Sequence, residues 1–287
     1  MRLITYYSSE GPRVAGVRGD QVVDLNHADP QVPACVKALL GQGAEGLSRA
    51  EAALASGKPI AMAGLRLAPA IPRPAKIICV GLNYADHAKE TGARAPGEPI
   101  LFCKFSTAIC GNRQPIVLPR VSQEVDFEAE LVAVIGRGGR HIARQEAIGH
   151  VGGYCCGNDV SARDWQIRKP GGQWLLGKSF DSFAPIGPAI VTADELLDPG
   201  NLRIELRLNG QVMQESSTSQ LIFPIDYLVS YVSDVCTLEP GDLIFTGTPP
   251  GVGFARKPPV FLKPGDTVEV EIERIGVLEN AVVAESL

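Results

Sequence analysis

At 287 residues the chain is long enough to bury a large core unaided, and its seven cysteines are scattered, with no Cys-x-x-Cys pair to suggest a zinc knuckle. A net charge of -5 without any basic cluster leaves no electrostatic footprint for nucleic acid, and no apolar run approaches the ~20 residues that span a bilayer. Unpaired cysteines and an amino terminus lacking an apolar leader core fit a reducing compartment, so the expectation is a soluble, cytoplasmic protein.

In chain order, residues 3–7, 14–17 and 21–25 read as short strands separated by glycine-containing turns. Residues 36–40 and 47–55 carry apolar side chains at helical spacing, and Gly57-Lys58-Pro59 closes the second helix. Pro69, Pro72 and Pro74 then make a stiff connector, which sets the expected boundary between a small N-terminal α/β domain, 1–70, and a larger domain, 71–287. Beyond it strands and turns dominate, with short helices at 84–91, 144–151 and 162–168. The fold class is therefore α+β, β-rich and largely antiparallel. Late in the chain Pro240-Gly241 and Pro264-Gly265 each centre an expected type II turn that leads into a strand.

The segment from Asp126 to Gly136 is the most informative. On one continuous strand Asp126, Glu128 and Glu130 share a face, and the apolar run from Leu131 to Ile135 marks a central, buried element. Three acids could sit harmlessly at an exposed sheet edge, but next to a buried run they repel one another and cost several kcal/mol each unless a cation lies between them. Asp159 offers a third ligand beside Glu128 and Glu130, completing an all-oxygen set suited to Mg²⁺ or Mn²⁺. Its alternative duty is to assist a helix start at Ser161, which reads as an N-cap with Asp164 at the capping-box position.

In the helix expected over 84–91, Asn83 reads as N-cap and Gly92 as the stop. His87 and Glu90 lie three apart and so on one face; either they are a chance surface pair, or the carboxylate fixes the imidazole tautomer and makes it a base. Lys178 is set among apolar residues, where it could merely snorkel. The loop from Thr246 to Gly253 lacks a Walker ending, yet its backbone amides can cradle a carboxylate.

Four segments in order, Asp126-Phe127-Glu128-Ala129-Glu130-Leu131, Gly157-Asn158-Asp159-Val160-Ser161-Ala162-Arg163-Asp164, Gly177-Lys178-Ser179-Phe180-Asp181 and Thr246-Gly247-Thr248-Pro249, resemble the fumarylacetoacetate hydrolase family from about Lys76 to the end of the chain. The resemblance implies a β-roll catalytic domain, a homodimer, and Mg²⁺ or Mn²⁺ held by Glu128, Glu130 and Asp159. It further implies that His87 and Glu90 form a dyad on a lid helix, that Lys178 is the active-site lysine, that Gln166 belongs to the substrate pocket and that Thr248 contacts the substrate carboxylate. Asp126 matches no ligand and is expected behind the others, orienting a metal-bound water. Arg163, Trp165 and Trp174 receive no role.

The activity expected from this resemblance is hydrolysis of a carbon–carbon bond in an acylpyruvate-like 2,4-dioxo acid, as in aromatic catabolism. The metal would act as Lewis acid, His87 would activate a water, and Lys178 would help to stabilise the departing pyruvate enolate. The same site suits an oxaloacetate decarboxylase or tautomerase, or a 2-hydroxyhepta-2,4-diene-1,7-dioate isomerase. A metal-binding relative without catalysis is the remaining alternative. The expected partner is a small 2-oxo acid, with neither nucleic acid nor membrane involved.

Overall fold

The computed structural model describes residues 1–92 and 94–286. Among them eleven strands build one long sheet, in the order Ile60–Ala61, Gln21–Asp24, Gly11–Arg18, Arg2–Ser8, Ala184–Thr192, Val151–Asn158, Ala129–Ile135, Leu243–Phe245, Ile77–Gly81 and Ile100–Lys104, with Ile109–Gly111 also paired to Ala184–Thr192. A five-stranded sheet, ordered Gln211–Ser217, Arg203–Leu208, Thr267–Ile272, Gly276–Ala284 and Ile116–Leu118, packs its apolar face against it. Most pairings are antiparallel, as the glycine- and proline-rich turns predict. Ile109–Gly111, Leu243–Phe245 and Ile116–Leu118 each take one parallel neighbour.

The N-terminal strands form where their alternation placed them, and Leu3 pairs with Ile190, so the long sheet continues from the first strands into the rest of the chain. The helices Val36–Gly41 and Gly43–Ser56 cover that end; the second starts a turn earlier than its apolar spacing suggests. The helix at 144–151 ends sooner than expected: Arg144–Ala147 passes through a 3-10 turn, and Val151 already opens the next strand. Gly241 and Gly265 adopt φ of 84° and 95°, the conformation that the third position of a type II turn requires.

The apolar run 131–135 is the buried centre, with every side chain inaccessible to solvent. Its strand lies between Val151–Asn158 and Leu243–Phe245. The ends of these three strands therefore carry whatever polar groups flank them into the middle of the molecule.

Candidate active site

Glu130 lies on strand Ala129–Ile135 and Glu128 just precedes it, while Asp159 follows directly after strand Val151–Asn158. These strands pair with Ala129 opposite Asn158 and Glu130 opposite Gly157, and the Asp159 amide donates to the Glu128 carbonyl at 2.9 Å. One oxygen from each of Glu128, Glu130 and Asp159 thus lies within 4.8 Å of the others, and all three residues are buried.

The continuous strand expected through all the acids is broken. Asp126 ends a separate two-residue strand, Val125–Asp126, and is not one of the clustered acids. Its carboxylate accepts from the amides of Phe127, Gly253 and Phe254 and from Arg163 Nε. Fully occupied by protein donors, Asp126 anchors a loop and a guanidinium, in place of the expected duty towards a metal-bound water.

Three buried cations answer these acids. Lys178, at the end of helix Trp174–Lys178, places Nζ 2.7 Å from Glu128 Oε2 and 2.8 Å from Asp159 Oδ2. It does not snorkel: only 2% of its side chain is exposed. Gly177 permits this approach, since a Cβ there would lie 2.6 Å from the Gln166 backbone nitrogen. Arg163 reaches Glu128 Oε1 at 2.6 Å and Gln166 Oε1 at 2.9 Å. Lys104, a residue that no sequence pattern singled out, donates to the carbonyls of Val160, Lys178 and Phe183. It also lies 2.6 Å from Asp159 Oδ1, an ion contact outside aligned hydrogen-bond geometry.

These charges split the carboxyls. Burial alone would push Glu128 up, but Lys178 and Arg163 outweigh it and hold its carboxyl down at about 2. Glu130 has no such partner, so burial, followed by the charges of Asp159 and Glu128, pushes it well above the carboxylate range. For Lys178 burial works against the charge, yet Asp159 and Glu128 prevail and raise it. The neighbouring Cys79 thiol is driven well above its usual range, first by burial and then by Asp159.

Helix Ala85–Thr91 brings in the dyad, with His87 Nδ1 3.0 Å from Glu90 Oε2. Glu90 also accepts from the Gly251 amide at 3.0 Å, and the Asp86 carboxylate accepts from the Ser216 hydroxyl. Gly92 closes the helix at φ 67°, as expected. Asn83 and Ser161 are not the caps their sequences suggest. Tyr84 and Ala162 hold those positions. Asn83 is buried, and its side chain bonds the backbone of Phe223 and Thr246, while Ser161 donates to the Asp159 carbonyl.

The loop after Phe245 does cradle carboxylates, and they are the protein's own: the Gly247 amide donates to Glu130 Oε2 at 2.7 Å, and Gly251 holds Glu90. Gly247 needs its φ of 103°, and a Cβ there would strike the Asn83 side chain at 2.7 Å. Thr248 follows, with its Oγ1 accepting from the buried Gln214 Nε2 at 2.9 Å.

His87, Glu128, Glu130, Gln166, Lys178 and Thr248 line one cavity of about 200 Å³. Leu82, Phe102, Ile167 and Trp174 supply its apolar wall, and Arg163 contributes as well. Trp165 instead packs edge-on against Phe180. Of the residues left without a role, two therefore face the cavity. Lys104 and Gln214 escaped notice because their partners lie far away in sequence.

The donor set fits a hard divalent cation. Four carboxyls, of Asp126, Glu128, Glu130 and Asp159, meet three cationic side chains, of Lys104, Arg163 and Lys178, so an uncompensated acid remains. Among the described residues Glu130 Oε1 accepts no hydrogen bond, which leaves an oxygen free for ligation. The acidic cluster can thus hold a metal ion.

A family model described as fumarylacetoacetate (FAA) hydrolase, C-terminal, matches residues 76–283. The oxaloacetate tautomerase FAHD2A, mitochondrial, of Bos taurus is 49% identical over 292 residues, which cover 99% of this chain and 92% of the relative. Among solved structures, 5-carboxymethyl-2-hydroxymuconate delta-isomerase from Mycobacterium smegmatis is 37% identical with a TM-score of 0.80, over 100% of both chains. Maleylpyruvate hydrolase from Sphingobium sp. SYK-6, in complex with manganese (II) ion and pyruvate, is 32% identical with a TM-score of 0.83, again over 100% of both. The chain belongs to the fumarylacetoacetate hydrolase family and has its fold. Among the described residues no helix is long and apolar enough to cross a membrane.

Proposed function

We propose that this member of the family is a Mg²⁺- or Mn²⁺-dependent enzyme that interconverts the keto and enol forms of a small 2-oxo dicarboxylic acid, with oxaloacetate as substrate. The observation that carries this reading is the meeting of His87, Lys178, Glu128 and Glu130 on one cavity of about 200 Å³, with Glu90 bonded to His87 and Asp159 completing the carboxylate cluster. The near-full-length likeness to an oxaloacetate tautomerase favours this chemistry over the hydrolysis expected from sequence.

A divalent cation held by Glu128, Glu130 and Asp159 would supply Lewis acidity at the 2-oxo acid end of the substrate. Glu90 accepts from His87 Nδ1, so the Nε2 lone pair is left to act as base and can take a proton from C3 of the keto form. As charge develops on the 2-oxygen, the Lys178 ammonium stabilises it; the 2-oxygen takes up a proton from solvent while His87 releases to solvent the one taken from C3, which gives the enol with no net gain or loss. In reverse His87 returns the proton to C3. Tautomerisation needs no further reactant.

A second reading, hydrolysis of a 2,4-dioxo acid, draws support from the maleylpyruvate hydrolase likeness, since the same Nε2 lone pair could activate a water. Proton NMR of purified protein with Mn²⁺, given oxaloacetate and separately acetylpyruvate, against an EDTA control, decides between them. Faster keto–enol exchange of oxaloacetate without pyruvate release is the expected result. Acetate and pyruvate from acetylpyruvate, lost with EDTA, would replace tautomerisation by hydrolysis, and no turnover of either would overturn both. The homodimer belongs to the same proposal, and light scattering tests it.

A further inference from the structure

The Gln214 side chain is 1% exposed and joins two elements of the site. Its Oε1 accepts from the Ala129 amide at 2.8 Å, and its Nε2 donates to the Pro249 carbonyl at 2.8 Å and to Thr248 Oγ1 at 2.9 Å. An amide nitrogen can only donate and a backbone carbonyl can only accept, so the orientation of the Gln214 amide is fixed. Both its protons are spent, and one of them occupies a lone pair of the Thr248 hydroxyl.

Thr248 lines the cavity, and its own hydroxyl proton finds no acceptor among the described residues. With the Gln214 N–H on one lone pair, the hydroxyl rotor favours turning its proton away from Gln214, where it can meet an oxyanion in the cavity. Gln214 is placed for this task by a break in pairing: it lies opposite Leu206, the next partner residue, Arg207, lies opposite Val212, and Met213 is left unpaired, an irregularity of the kind that re-aims side chains. The same amide grips the residue between Glu128 and Glu130, so the donor is held in register with the acidic cluster.

We infer that Gln214 is a positioning residue that turns the Thr248 hydroxyl proton towards the carboxylate of the substrate. This rests on the 2-oxo acid reading of the cavity. Oxalate, a planar dianion, is the probe, and its affinity for the Mn²⁺-loaded protein is measured by calorimetry in wild type, Gln214→Glu, Gln214→Met, Thr248→Val, Thr248→Ser and the two Gln214 variants combined with Thr248→Val. Neither Gln214 replacement can donate as the amide does; the glutamate is isosteric, and the methionine, which adds no charge, serves where the glutamate variant fails to fold.

Each single change at Gln214, and Thr248→Val, should weaken oxalate about 10- to 100-fold, the worth of a hydrogen bond to a charged group. Thr248→Ser should bind as wild type. In the Thr248→Val background the Gln214 changes should add nothing, a coupling that loss of packing or plain charge repulsion would not produce. Losses that simply add, or undiminished binding by Thr248→Val, would overturn the role of Gln214 alone. Failure of the wild-type protein to bind oxalate would overturn the 2-oxo acid reading, and the inference with it.

Discussion

Glu130→Gln separates metal binding from folding. Glu130 is buried, its carboxyl is pushed well above the usual range, and its only hydrogen bond among the described residues comes from the Gly247 amide to Oε2. A glutamine oxygen can accept that same bond, and the amide, like the neutral carboxyl that burial and the charges of Asp159 and Glu128 favour, sets no charge against those two acids. Without metal the variant should therefore be as stable as wild type or slightly more so. With Mn²⁺ the two diverge: at about one hundred times Kd a native-state ligand contributes about 2.7 kcal/mol. For a chain of 287 residues that corresponds to a rise in Tm of about 4–5 °C. Scanning calorimetry with EDTA, Mg²⁺ and Mn²⁺ should show this rise in wild type and little of it in the variant. An equal rise in both would remove Glu130 from the ligand set, and a variant unstable in EDTA would show that its charge is needed for folding.

His87→Ala should lower turnover of oxaloacetate about 10²- to 10⁴-fold, as for loss of a positioned base, while calorimetry finds Mn²⁺ bound as in wild type. Equal loss of metal affinity would count against the base role. Lys104→Met removes the cation behind Asp159 and leaves three carbonyls without their donor, so denaturant unfolding should register a cost of about 3–5 kcal/mol, typical of breaking one side of a buried ion pair. In the N-terminal segment burial alone would raise the Asp24 carboxyl, but hydrogen bonds from Arg13 and Tyr6 hold it down at about 2 from an ordinary 3.8. A depressed carboxyl stabilises the fold above its unfolded value and loses that effect as pH falls towards the folded one. Asp24→Asn should accordingly cost about 2 kcal/mol near neutral pH, and the gap to wild type should close between pH ~4 and ~2; a gap that persisted at pH ~2 would refute the assignment.

Much of the site was legible in the sequence because it is built from neighbours. The apolar run from Leu131 to Ile135 specifies a buried central strand, and the acids at its start are carried inside with it. The spacing of His87 and Glu90, with Gly92 as the stop, puts both side chains on one face of a helix through helical geometry alone.

Other features depended on groups distant along the chain. Asp126 stands outside the ligand cluster because the amides of Gly253 and Phe254 and the Arg163 side chain occupy its carboxylate. Asn83 forsakes the cap position because Phe223 and Thr246 offer buried backbone partners. Lys104 and Gln214 take their significance wholly from what surrounds them, namely Asp159 and the carbonyls beyond it, and the Ala129 amide with Thr248. The sequence by itself determined periodicity, the buried strand and the acids delivered with it, since these follow from backbone geometry and the local cost of exposing apolar groups. Which donor meets which buried acceptor was decided only by the tertiary structure, because a polar group removed from water must bond whatever partner the packed strands bring to it.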